Sequence, residues 1–86
     1  MATVIMYSTA YCPYCIRARD LLEQKKITYQ DIRIDEQPSK RDEMIAKSGR
    51  RTVPQIFINN QPIGGCDDLY ALENQGQLDN LLSNEE

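Results

Sequence analysis

Tyr11-Cys12-Pro13-Tyr14-Cys15 decides how the rest of the chain is read. Ahead of it stands the short apolar run Val4-Ile5-Met6-Tyr7. Behind it Cys15, Ala18, Leu21 and Leu22 recur at helical spacing, with Arg17, Asp20 and Glu23 outside that stripe. Two thiols three residues apart, beside a strand–helix–strand pattern, read as a redox motif. With Cys12 as the last residue before the helix, Pro13 falls at the first helical position, where its missing N–H costs nothing. The Cys12 sulfur then meets unpaired backbone N–H groups and the positive end of the helix dipole, which favour a thiolate. Cys15 lies one turn on, near enough to close a small disulfide ring but further from that field. One sulfur attacks and the other resolves.

Working outward, Thr3 to Tyr7 is continuously apolar and reads as a strand buried on both faces. The helix is expected from Pro13 to about Lys26, with Lys25 and Lys26 as surface charges at its negative end. Thr28 to Ile34 alternates, placing Gln30, Ile32 and Ile34 inside, and completes a parallel β-α-β unit. A second helix is expected after Pro38, with Ser39 and Asp42 spaced as a capping box and Gly49 at its end. Gln55 to Ile58 is a third strand, Asn59-Asn60 a two-residue turn, and Gln61-Pro62-Ile63 a fourth strand that Pro62 assigns to an edge. A third helix opens at Asp67 or Asp68 and closes near Gly76. Leu78 to Ser83 forms a last helical segment that brings Leu78, Leu81 and Leu82 to the core.

Eighty-six residues suit one domain, 1–86, with one modest core. Charged residues at 27% and apolar ones at 41% give an ordinary globular balance. The N-terminal run has no basic region and is too short for a signal peptide, and no segment approaches a membrane span. Three cysteines, an odd count, argue against a secreted disulfide framework, so a reducing cytoplasm is the expected location. The net charge of −3 divides unevenly: residues 1–51 carry all ten basic and seven acidic side chains, and residues 52–86 carry six acidic ones. That leaves room for a local anion-binding patch near Lys47, Arg50 and Arg51. Nucleic acid is excluded as a partner by the missing basic footprint.

Two further stretches complete a candidate site. Thr52-Val53-Pro54 precedes a strand, where the proline is either cis or a plain trans residue opening the strand. On these residues alone the two stand level. A cis bond would offer the Val53 backbone as a free edge to an extended peptide-like ligand. Gly64-Gly65-Cys66-Asp67-Asp68 combines glycines that permit close approach, a helix N-terminus suited to a carboxylate, and carboxylates suited to an ammonium group. Asp67 and Asp68 serve equally as helix caps. Such a site fits a short zwitterionic peptide.

Taken together, Tyr-Cys-Pro-Tyr-Cys, Thr-Val-Pro-Gln-Ile-Phe-Ile and Gly-Gly-Cys-Asp-Asp resemble the dithiol glutaredoxins of the small bacterial type, over essentially the whole chain. The resemblance implies an α/β thioredoxin fold, a four-stranded mixed β-sheet flanked by α-helices, with Pro54 cis and facing the thiols. It implies Cys12 as nucleophile and Cys15 as resolving thiol, with Pro13 and Tyr14 in the active-site loop. It also implies a glutathione groove formed by Tyr14, Arg50, Thr52, Val53, Pro54, Gly65, Cys66, Asp67 and Asp68. Val53 would pair with the glutathione cysteine, the Cys66–Asp68 segment would hold the γ-glutamyl end, and Arg50 or Arg51 the glycyl carboxylate. One departure is Thr9, where the family commonly has lysine. That leaves the helix terminus, with Arg50 or Arg51, to lower the Cys12 pKa.

The implied function is glutathione-dependent thiol–disulfide exchange. Cys12 alone would clear protein–glutathione mixed disulfides, and Cys12 with Cys15 would reduce protein disulfides. Glutathione is then the reductant, and the expected partners are glutathionylated and disulfide-containing proteins, with ribonucleotide reductase as one candidate. A monomer is expected, and no metal. One rival is a glutathione-independent dithiol carrier reduced by thioredoxin reductase, against which Arg50 and the Gly64–Asp68 stretch count. The other is a dimeric iron–sulfur glutaredoxin, against which Pro13 counts. Three Cys and no His cannot supply four zinc ligands from one chain. Cys66 is read as a packing residue in preference to a regulatory thiol.

Overall fold

The computed structural model describes residues 2–83. The apolar run opens the chain as β1 (Val4–Ser8), followed by α1 (Pro13–Gln24), β2 (Gln30–Arg33), α2 (Ser39–Ser48), β3 (Gln55–Ile58), β4 (Gln61–Gly64), α3 (Cys66–Asn74) and α4 (Leu78–Ser83). The sheet order is β2-β1-β3-β4. β1 runs parallel to β2, with Ile5 opposite Gln30, and antiparallel to β3, which pairs antiparallel with β4. This is the four-stranded mixed sheet flanked by helices that the family resemblance implied. Pro62 lies on the edge strand β4, where its missing donor costs no ladder bond. Asn59 and Asn60 both adopt left-handed backbone (φ 51° and 65°), as the tight β3–β4 turn requires.

Alternation along β1 divides the core in two. Val4 and Met6 pack with Ile56 and Ile58 of β3 against Ala18, Leu21 and Leu22 of α1, Leu69 of α3, and Leu78 and Leu82 of α4. Tyr7 faces the other way and packs with Ile32, Ile34, Phe57 and Met44 of α2. The central strand is thus buried on both faces, as its unbroken apolar run indicates. Leu81 is only partly buried against the first cluster.

Three local expectations are corrected. Ser39 and Asp42 do not form a capping box: Pro38 already has helical φ and ψ, and α2 has no side-chain cap. The chain enters α2 through successive turns, in which Gln37 N–H donates to Arg33 O and Lys40 N–H to Gln37 O, so Ser39 is already inside the helix. Gln30 shares a face with Ile32 but is exposed, because it stands at the start of an edge strand. Tyr29 is instead half-buried against the α1-side core. Lys25 is not a free surface charge: its side chain is 15% exposed and its Nζ lies 2.7 Å from both Glu73 and Asp79, joining α1 to α3 and α4. Lys47 lines a cavity with Tyr7 and Phe57, whereas Arg50 lines the groove described below.

Candidate active site

The two thiols are placed unequally by the start of α1. Cys12 occupies the N-cap with extended backbone (φ −80°, ψ 119°), and Pro13 takes the first helical position. The Cys12 carbonyl accepts the Ile16 N–H at 3.1 Å, while its side chain makes no capping hydrogen bond. Its sulfur instead points across to the Val53 carbonyl, 3.8 Å away. Cys12 is partly accessible, whereas Cys15 is fully buried. Burial pushes the Cys15 thiol up to about 11, against a hydrogen bond from the Thr9 backbone and with the Cys12 sulfur adding to the rise. The accessible sulfur suits attack on an incoming disulfide, and the buried one can act only on what Cys12 has already bound.

The Val53–Pro54 peptide is cis. It lies across from Cys12, so the expected cis proline and thiol face one another. From this point a groove of about 380 Å³ runs to the start of α3. All nine groove residues that the family resemblance implied line it: Tyr14, Arg50, Thr52, Val53, Pro54, Gly65, Cys66, Asp67 and Asp68. Arg51 is not among the lining residues, which separates the two adjacent arginines. Cys66 lies in the groove wall but is 3% exposed and belongs to the apolar core, and burial raises its thiol pKa.

Asp68 sits at the third position of α3, where its carboxylate accepts the Gly65 N–H at 2.9 Å, half of a capping box. The same oxygen meets Arg50 Nη1 at 3.0 Å, and both contacts hold its carboxyl below the usual range. The family resemblance assigns Arg50 and Asp68 to opposite ends of a ligand. Here the two side chains touch, 55% and 45% exposed.

Gln55 also lines the groove and went unrecognised. It is 1% exposed, and its amide donates to Thr52 O at 3.0 Å and Thr52 Oγ1 at 3.3 Å, bracing the Thr52–Pro54 turn from beneath. A polar residue opening an otherwise apolar strand was the available signal.

A second unforeseen group braces the loop ahead of Cys12. Arg19, one turn beyond Cys15 on α1, donates from Nε to Asp31 Oδ2 at 2.8 Å, and from Nη2 to Ser8 Oγ at 2.7 Å and Thr9 O at 3.1 Å. The buried Ser8 hydroxyl also donates to Asp31 Oδ1. Just beyond β2, Asp35 accepts the Ala10 N–H at 3.4 Å while paired with Arg33 at 2.7 Å. Around the thiols Tyr11, Tyr14 and Ile16 are exposed, Tyr11 by 91%. Among the described residues no group of three or more His, Cys, Asp or Glu side chains is arranged to hold a metal ion.

Comparison with known proteins agrees with this geometry. A model of the glutaredoxin family matches residues 4–63. Glutaredoxin 3 of Escherichia coli K12 is 57% identical over 82 residues, covering 95% of this chain and 99% of the relative. A glutaredoxin of Pseudomonas aeruginosa is 53% identical over 83 residues, covering 96% and 99%. Among solved structures, the buckwheat glutaredoxin–glutathione complex superposes with a TM-score of 0.88 at 32% identity, covering 95% of this chain and 77% of that one. A glutaredoxin from Brucella melitensis reaches 0.83 at 51% identity, covering 95% and 89%. Sequence, sheet order and thiol placement converge: the chain belongs to the glutaredoxin family of thiol–disulfide oxidoreductases, with a thioredoxin fold.

Proposed function

We propose that this protein is a glutathione-dependent oxidoreductase in which Cys12 attacks and Cys15 resolves. The observation that carries the reading is the groove lined by Val53, Pro54 and the Arg50–Asp68 pair, with the Cys12 sulfur 3.8 Å from the Val53 carbonyl. It is of small-molecule size, with the nucleophile beside its Val53 wall and side chains of both charge signs among its lining residues. A zwitterionic tripeptide that carries its own thiol matches those groups. The similarity to a glutaredoxin solved with glutathione supports the same choice.

The Cys12 thiolate attacks the glutathione sulfur of a protein–glutathione disulfide. A Cys12–glutathione disulfide forms, and the target leaves as a thiolate that takes up a proton. A second glutathione thiolate then attacks the bound glutathione sulfur, returning Cys12 and releasing glutathione disulfide. With a protein disulfide, Cys12 forms the mixed disulfide and Cys15 attacks Cys12, so the two electrons delivered to the target come from the Cys12–Cys15 pair. The exposed Tyr11, Tyr14 and Ile16 offer apolar surface to the target chain around the reacting sulfurs.

On binding, the Arg50–Asp68 pair is exchanged for pairs with the ligand. Because both side chains are about half exposed, giving up their mutual contact costs only about 0–1 kcal/mol. Asp68→Asn tests the assignment. Losing one half-exposed charge-assisted contact is worth about 1 kcal/mol, so KM for a glutathionylated peptide should rise roughly fivefold with kcat unchanged. A KM within twofold of the parent would contradict a ligand ammonium at Asp68.

A further inference from the structure

Arg19 is a charged residue that the mechanism above does not use. It follows Cys15 by four positions on α1, so the two side chains leave the helix on the same side, one turn apart. Its guanidinium is only 17% exposed and is shared among three partners on two strands and the loop: Asp31, Ser8 Oγ and Thr9 O. Thr9 is also the residue whose backbone hydrogen-bonds the Cys15 sulfur. A surface arginine satisfied by Asp31 alone would not need to turn its second nitrogen inward to the end of β1.

We propose that Arg19 is a positioning residue for the second half of the dithiol reaction: its hydrogen bonds to Ser8 Oγ and Thr9 O hold the end of β1 in place over the turn of α1 that carries Cys15, and its charge stands on the same side of that helix as the resolving sulfur. The proposal rests on the reading of Cys12 as attacker and Cys15 as resolving thiol. In that step Cys15 gives its proton to solvent, its sulfur attacks Cys12, the Cys12–Cys15 bond forms, and the target sulfur leaves as a thiolate. The buried Cys15 sulfur must become negative in low dielectric; with Cys12 held in the mixed disulfide, burial raises the cost, while the Thr9 backbone and the Arg19 charge lower it. Asp31 of β2 faces the guanidinium from behind and fixes its orientation.

An aromatic disulfide that yields a coloured thiolate separates the two steps without glutathione. The reduced protein releases one equivalent when Cys12 attacks and a second when Cys15 resolves. Arg19→Gln should slow the second phase roughly three- to tenfold while the first changes by less than twofold. The lower bound follows because a thiolate of higher pKa is also the better nucleophile, so each unit of pKa costs roughly threefold in rate rather than tenfold. The rise of the second-phase rate with pH should move upward in Arg19→Gln, a shift that loosened packing alone would not give. Arg19→Lys keeps the charge and should hold the second phase within threefold of the parent, and should Arg19→Gln fail to fold, Arg19→Met, which removes the charge but keeps an unbranched stem, takes its place with the same expected slowing of the second phase alone. Equal slowing of both phases, an unchanged second phase in Arg19→Gln, or no retention by lysine would overturn the assignment. A parent protein that releases only one equivalent would instead overturn the dithiol reading beneath it.

Discussion

Asp35 holds the loop ahead of Cys12 by charge. Its carboxylate accepts the Ala10 N–H while a hydrogen bond from Arg33 keeps its pKa at about 2, below the ordinary 3.8. The folded state therefore favours the ionised form. That contribution is complete above the unfolded value and is lost as pH falls from near 4 to about 2. Thermal midpoints should drop across that window, and the gap between parent and Asp35→Asn, open near neutral pH, should close at its acid end. A gap that persists there would show that the loop contact does not depend on the charge. Residues of this kind are the hardest to read from sequence. Arg19, Asp31 and Asp35 look like ordinary strand and helix polar residues, and only the sheet pairing brings them to one loop. Gln55 is similar: its burial under Thr52 follows from the turn that precedes β3, and nothing in its identity announces it.

At the scale of elements, the β4–α3 corner concentrates the most constraint. Gly64 has φ +115°, and a Cβ there would come within 2.2 Å of Asp68 Oδ2. Gly64→Ala would push the carboxylate off the Gly65 N–H and away from Arg50 besides straining the backbone. The expected result is a loss of about 1–3 kcal/mol in urea unfolding together with a raised KM for glutathionylated substrate. A loss of stability with KM unchanged would dissociate the corner from ligand binding. The glycine pair was legible as a place of close approach, and Pro13 and Pro62 were legible as helix start and edge strand, because each acts through backbone geometry that its own type dictates. The capping box at Ser39 was a false signal for the opposite reason. Spacing alone suggested it, and the turns before α2 had already satisfied the local donors. Lys25 was misread because only tertiary packing shows that Glu73 and Asp79 converge on the end of α1.

At the scale of the molecule, the sheet carries the nucleophile on one connection and the groove on two others. β1 ends at the Cys12 loop, the turn before β3 supplies Val53 and Pro54, and the β4–α3 corner supplies Gly65 to Asp68. Three sequence motifs far apart in the chain thus become one cleft, which is why nearly all of the groove could be named once the three together carried a family resemblance. The supporting charges could not, since they depend on register between strands. The central claim is that this groove selects glutathione and that Cys12 alone performs the exchange with it. Reduction of a glutathione mixed disulfide by Cys15→Ser, coupled to glutathione reductase, tests it most directly. Retained turnover is the predicted result. Loss of turnover while the Cys12 thiol stays reactive would contradict it and leave a dithiol carrier without a glutathione site.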